Sequence, residues 1–211
     1  MKRLLPITLC CLATALALVA VIITDSQRKG GVAEIIEQRR SIRAYKETPV
    51  EREKLQRLAE LGVAAPSAMN RQEWEIRIVD SKEWIDSATK AYLAAVEGTG
   101  KADYMLRDPN FKNIFRNAPA LIFVAAPEGE FAGVNIGLLG ENIMLAAVEM
   151  ELGTCCLGSV QGIFAEPALA DHLKSLGFSE GYRLSYALAV GYPDEQPEAK
   201  PRDLSKIKFV E

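Results

Sequence analysis

The chain has 211 residues, enough for one sizeable domain beyond a leader. Apolar residues make up 49% and charged residues 25%, an ordinary globular balance, and a formal net charge of −3 gives no global basis for nucleic-acid binding. A single histidine, His172, and four cysteines in two adjacent pairs argue against a His-based triad, a multi-histidine metal site, a zinc spacing or a disulfide framework.

Met1-Lys2-Arg3 precede an uncharged apolar run over residues 4–23, about the length needed to cross a bilayer as a helix. The run exceeds a usual signal-peptide core, and no small-x-small cleavage site follows it. It reads as an uncleaved signal anchor. The basic N-terminal flank keeps that end in the cytoplasm and turns the following domain outward, although Arg28 and Lys29 beyond the run oppose this orientation. Lipidation at Cys10 or Cys11 is the lesser alternative, because the apolar segment continues far beyond them. The chain is thus expected to divide into an anchor and linker over 1–31 and a domain over 32–211.

A short helix is predicted over 32–39, with Val32, Ile35 and Ile36 on one side. Thr48-Pro49-Val50-Glu51 reads as a capped helix start, and the helix runs through Leu55, Leu58 and Leu61 to Gly62. A polar turn-rich loop over 65–72 leads into a strand over 74–79. Ser81 caps a helix to about Val96, and an irregular stretch over 97–117 holds short helical pieces. Residues 119–126 form a buried strand. Residues 131–152 form a long helix, apolar all round, with small residues at Gly133, Gly137 and Gly140; it belongs in the core or in a subunit interface. A strand over 154–160, an amphipathic helix over 166–176 ending at Gly177, and a strand over 182–190 complete the domain before a polar tail. Four strands with more numerous helices indicate an α+β fold, a sandwich around one sheet.

Three segments carry polar groups suited to a planar, phosphorylated ligand. Arg39, Arg40, Ser41 and Arg43 place three guanidiniums and a hydroxyl within five positions, and arginine's rigid fork of donors suits phosphate or carboxylate. In the loop, Asn70 and Gln72 have donors and acceptors suited to a heterocycle edge. Lys200 and Arg202 add cations near the end. Taken singly, each reads as a solvated turn or tail. Cys155 and Cys156 are adjacent on a strand, point to opposite faces and read as buried small hydrophobes. His172 reads as a surface residue.

Together, Gln-Arg-Arg-Ser-Ile-Arg-Ala-Tyr at 38–45, Ala-Pro-Ser-Ala-Met-Asn-Arg-Gln-Glu-Trp at 65–74 and Gly-Glu-Asn-Ile-Met-Leu-Ala-Ala at 140–147 resemble the nitroreductase family. Leu-Gly-Thr-Cys-Cys-Leu-Gly-Ser at 152–159, Ala-Val-Gly-Tyr-Pro at 189–193 and Lys-Pro-Arg at 200–202 continue the match in order, over about residues 32–204. The resemblance implies an antiparallel-containing central sheet flanked by helices, and an intertwined homodimer with FMN bound at the interface. It implies that Arg39, Arg40, Ser41 and Arg43, aided by Lys200 and Arg202, hold the phosphate and pyrimidine side. Pro66, Ser67, Asn70 and Gln72 would come from the partner chain or the flavin edge, and Leu157, Gly158 and Ser159 would lie along the ring, with no side chain acting as acid, base or nucleophile. The sequence departs from the family at Glu73, where proline is usual, and at Arg40, where some members have histidine. The Tyr104, Phe111 and Phe115 stretch is a candidate wall over the stacking space, with ordinary core packing as the alternative.

The implied activity is NAD(P)H-dependent reduction of nitroaromatic, quinone or similar electron-poor acceptors by a ping-pong cycle. The alternatives are an FMN-binding or storage module with little turnover, an anchored flavoprotein with a non-nicotinamide donor, and an anchored interaction protein without cofactor.

Overall fold

The computed structural model describes residues 31–210, and the expected anchor over 4–23 lies outside them. The chain divides into two compact units, Met1–Glu37 and Gln38–Glu211. Helix α1, Val32–Gln38, spans that boundary and buries none of its residues. The domain built from Gln38 onward is a four-stranded sheet with helices on both faces.

The strands are β1 (Glu75–Val79), β2 (Ala120–Pro127), β3 (Gly153–Leu157) and β4 (Tyr182–Gly191). Their order is β1-β2-β4-β3, and every neighbouring pair is antiparallel. Almost every residue of β2 is buried, which explains why its sequence is continuously apolar rather than alternating. Between Val124 and Ala125 the register with β4 shifts, leaving Ser185 unpaired in a bulge; Gln161 closes it by donating Nε2 to the Ser185 carbonyl at 2.8 Å.

One face of the sheet packs against α2 (Arg52–Val63) and α5 (Ala132–Glu149) through Leu55, Leu58, Ile122, Val124, Leu139, Ile143 and Leu188. These two helices approach closely because Gly62 has no side chain: a Cβ there would lie 2.6 Å from Ile143 Cγ1. The other face packs against α3 (Lys82–Ala95), the single turn α4 (Asp103–Leu106), α6 (Val160–Phe164) and α7 (Ala170–Ser175). Here Trp84, Phe115, Phe123 and Phe164 form an aromatic cluster with centroids 5.7–6.3 Å apart. Ser81 caps α3 by accepting from Trp84 N at 3.1 Å.

Several expectations shift. Helix α2 starts at Arg52 rather than Thr48, because Lys46 N donates to Tyr192 O at 2.9 Å and holds the approach extended. The Glu51 carboxylate, expected to close a capping box, accepts instead from Tyr192 Oη at 2.7 Å. Strand β3 stops at Leu157, and Val160 opens a helix after the Gly158-Ser159 turn. The 166–176 helix is split, with Pro167 starting a 3-10 turn, Pro167–Leu169, before α7. Of the candidate wall residues, Phe115 is wholly buried in the aromatic cluster, which is the core-packing alternative, whereas Tyr104 is exposed and Phe111 half-buried. Cys155 is buried as expected, but Cys156 is exposed, because it faces away from the packed side of the edge strand. His172 is half-buried, with Nε2 3.1 Å from Ser87 Oγ and its ring edge-on to Trp84.

The long helix α5 is not covered all round. Its inner side buries Asn135, Ile136, Leu139, Gly140, Ile143 and Ala147. On the outer side Phe131, Val134 and Leu138 are exposed, and a Cβ built on Gly133 or Gly137 meets nothing within 4 Å.

Candidate functional site

The arginine segment is laid against the free edge of β3. Ser41 bridges Thr154 in parallel, and Ile42 N donates to Thr154 O at 2.9 Å. Glycine at 153 makes this possible, since a Cβ there would sit 2.7 Å from Ile42 Cγ1. Tyr45 then turns into the core over Gly191, and its hydroxyl donates to Ile42 O at 2.5 Å. Burial pushes that phenol far above its ordinary pKa, so it is a neutral donor at any working pH. On the far side Tyr45 bridges Pro193, and Asp194 N donates to Ala44 O at 3.0 Å. The Glu195 carboxylate accepts from the backbone N–H groups of both Arg43 and Ala44.

The backbone of residues 41–46 is therefore held by β3, by Tyr45 and by residues 192–195. Ile42 and Tyr45 bury their side chains, while those of Arg39, Ser41 and Arg43 stay at least partly exposed. Arg40 turns with Ile42 into a cleft of about 690 Å³ that Thr154, Glu151 and Glu195 also line. Arg39, Ser41 and Arg43 do not line that cleft. Arg43 Nη1 donates to Ser41 O at 3.1 Å, and Arg39 Nε faces Glu141 of α5 at 3.7 Å, a loose ion pair. Of the predicted group of four, Arg40 alone lines that cleft, while Arg39 faces the long helix through Glu141 and Arg43 lies against the Ser41 carbonyl. Arg39, Arg43 and Arg116 also act on the Cys155 thiol: burial pushes its pKa up, while Arg43 and then Arg116 oppose that rise.

The second segment, residues 65–72, folds into a 3-10 turn, Ala68–Asn70. Met69, Asn70 and Gln72 all have left-handed backbones, with φ of 53°, 53° and 52°. Such residues cost about 1 kcal/mol or more each when they are not glycine, and they persist where surrounding contacts enforce them. The enforcing contacts are Asn135 Oδ1 accepting from Ala68 N at 3.1 Å, Ser67 Oγ accepting from Gln72 N at 3.0 Å, and Gln72 O accepting from the N–H of buried Trp74 at 2.8 Å. The result exposes Pro66, Asn70 and Gln72. The departure at Glu73 now has a structural reading. A proline there would push Gln72 toward extended backbone, which Gln72 does not adopt.

Leu157 ends β3 with its side chain in the core, so only its backbone can line a ligand. Gly158 and Ser159 are exposed, and the space above Gly158 is open. Lys200 and Arg202 lie on an exposed tail, where Arg202 Nη1 donates to Lys200 O at 3.1 Å. Among the described residues, no hydrogen bond or ion pair joins the arginine segment to the 65–72 loop or to Lys200 and Arg202.

Sequence reasoning missed Glu195, Asn135 and Glu141. Glu195 serves residues more than 150 positions away, so nothing local marks it. Asn135 had a signal, as a poor helix former inside an otherwise apolar helical run. Glu141 was legible only as a charge within the Gly-Glu-Asn motif.

The donor set fits a phosphorylated heterocycle. Arg39, Ser41 and Arg43 suit the phosphate, the exposed amides of Asn70 and Gln72 suit a ring edge, and the open backbone at Gly158 lets a flat ring approach closely. The architecture and site together define an antiparallel α+β protein with an arginine-rich segment on one sheet edge. The nitroreductase family model matches residues 36–192, and the chain belongs to that family. It is 29% identical over 176 residues to an NADPH-flavin oxidoreductase of Vibrio harveyi, covering 80% of this chain and 68% of the relative. It is also 29% identical over 185 residues to an FMN reductase (NAD(P)H) of Bacillus subtilis (strain 168), covering 81% and 69%. A crystal structure of a nitroreductase with bound FMN from Desulfitobacterium hafniense DCB-2 superposes with a TM-score of 0.76 at 28% identity, covering 87% of this chain and all of that one.

Proposed function

We propose that the protein is an FMN-dependent oxidoreductase that takes electrons from NADH or NADPH and passes them to electron-poor acceptors such as nitroaromatics and quinones, working as a homodimer. The observation that carries this reading is that Arg39, Ser41 and Arg43 lie close together on a segment whose backbone is held by β3, Tyr45 and Glu195. A site built this way is preorganised, so little ordering cost falls on binding. FMN, when bound, supplies the hydride and electron chemistry.

The chain's own residues bind and orient. Arg39 and Arg43 offer charge-assisted bonds to the phosphate, and Ser41 adds a hydroxyl. Arg40 acts from the neighbouring cleft, and Lys200 and Arg202 join only if the tail is carried to the segment. Pro66, Ser67, Asn70 and Gln72 present their polar edge from a second copy, and Leu157, Gly158 and Ser159 offer backbone along the ring. The relatives named for NADPH-flavin and NAD(P)H-linked reduction support a nicotinamide donor. We further propose, on the apolar run over 4–23 alone, that the domain over 32–211 is held at a membrane and faces outward.

The test is an anaerobic absorbance spectrum of the purified protein before and after NADH or NADPH. A flavin spectrum that bleaches is expected, and colourless protein that takes up no FMN on reconstitution overturns the proposal. Initial rates with varied donor and acceptor should give parallel double-reciprocal lines. Accessibility of a tag placed after Glu211 reads the orientation.

A further inference from the structure

Asn135 is the least expected polar group in the fold. It lies on the buried side of α5, is 2% exposed, and is surrounded in sequence by Val134, Ile136 and Leu138. Its Oδ1 accepts from Ala68 N at 3.1 Å. That donor settles which way the amide points, because only the oxygen can accept a backbone N–H. The consequence is that Nδ2 is fixed as a donor, and this buried group has no acceptor among the described residues. Leaving a buried donor unpaired is costly, so the arrangement disfavours asparagine as a mere packing element.

What the amide gains is control of one backbone position. Ala68 begins the 3-10 turn that carries the left-handed Met69 and Asn70 and leads to the left-handed Gln72. Ser67, just before it, is extended, with φ −135° and ψ 155°. The switch from extended to turn occurs at the residue Asn135 holds. Asn70 and Gln72, whose amides face outward from this turn, are placed by it.

We infer that Asn135 is a positioning residue for the flavin site: by fixing the Ala68 N–H it holds the 65–72 loop in the strained form that presents Asn70 and Gln72 to the ring edge. This rests on the proposed FMN function. The bond also ties the loop to α5, the helix whose opposite side is open and apolar. Loop conformation is thereby set from the helix itself.

Two variants remove the bond from opposite ends. Asn135→Leu is close in size and deletes both the used acceptor and the unpaired donor. Ala68→Pro deletes only the N–H, at the first position of a turn preceded by extended backbone, where proline is tolerated. With the full chain, FMN affinity of each apo variant is expected to fall about fivefold to tenfold, the worth of one backbone hydrogen bond expressed as binding. The double variant should bind no more weakly than the weaker single, because both remove the same contact. The melting temperature of Asn135→Leu should stay near that of the parent, since an unpaired buried donor leaves with the acceptor. A purely structural role gives the reverse pattern, a lowered melting temperature with unchanged flavin affinity in the folded fraction. That pattern, or additive losses in the double variant, overturns the inference. If Asn135→Leu does not fold, Ala68→Pro alone decides by its FMN affinity. Parent protein that binds no FMN would overturn the function instead, and the two failures are distinct.

Discussion

Half-buried Arg39 and exposed Arg43 are less committed than Arg52 and Arg77. Arg52 is engaged by both Asp80 oxygens, at 2.5 and 3.0 Å, and Arg77 is spent on the carbonyls ending α7, at 2.8 Å to Leu176 and 2.7 Å to Gly177. Among the described residues, the Arg43 guanidinium donates to the neighbouring Ser41 carbonyl, and Arg39 has its loose pair with Glu141. Charge-assisted bonds to phosphate are worth about 1.5–3 kcal/mol each. Arg39→Ala or Arg43→Ala should therefore weaken FMN binding by about tenfold to a hundredfold. Arg52→Ala should leave it unchanged, and flavin fluorescence titration of the three apo variants checks this. Glu141 acts in the opposite sense, because its carboxylate competes with an incoming phosphate for Arg39. Glu141→Gln should tighten FMN binding by about threefold at low ionic strength, with the gain shrinking as salt is added. Titrations at two salt concentrations measure it, and weaker binding in the variant would show that Glu141 orients Arg39 rather than competing for it.

At the scale of elements, the arginine segment depends on a missing side chain in β3. Gly153 lets Ile42 pack over the strand edge, and a Cβ there would meet Ile42 Cγ1 at 2.7 Å and Cβ at 2.8 Å. Ile42 is buried and β3 is held to β4, so neither can yield freely. Gly153→Ala should cost about 1–3 kcal/mol by overpacking and lower the melting temperature by several degrees. Because the same contact seats Ser41 and Arg43, FMN affinity should fall with it, and paired calorimetry and titration would show the two losses together. Much of this level was legible in the sequence. Alternation located β1, the continuous apolar run located β2, and Ser81 located the start of α3. What stayed hidden depends on partners remote in the chain. Thr48 looked like a cap until Lys46 was seen bound to Tyr192, and Cys156 looked buried until the edge position of β3 was known. The arginine cluster was legible as a concentration of cations. Its seating against β3 follows from the bridge of Ser41 to Thr154, which no local pattern announces.

At the scale of the whole molecule, one copy leaves the site in pieces. The 65–72 loop carries the proposed ring-edge amides, the 39–43 segment carries the proposed phosphate ligands, and no hydrogen bond or ion pair among the described residues joins them. The same copy leaves Phe131, Val134 and Leu138 exposed in a row on α5, beside open backbone at Gly133 and Gly137. The tail likewise exposes Leu204, Ile207, Phe209 and Val210. An apolar helix side with small residues permits close approach of a second helix, and a two-fold axis there presents the same surface from both partners. A two-fold assembly of this kind would supply the loop of one chain to the arginine segment of the other. Assembly and cofactor binding should then fail together. Leu138→Glu places a charge on that side without touching either set of ligands. Light scattering should report a dimer for the parent protein and a monomer for the variant, with helix content unchanged by circular dichroism. The monomer should also be colourless and take up FMN at least tenfold more weakly, since half of the donor set is removed. A monomeric variant with parental FMN affinity would place the whole site within one chain. A variant that remains dimeric would move the interface off this side of α5.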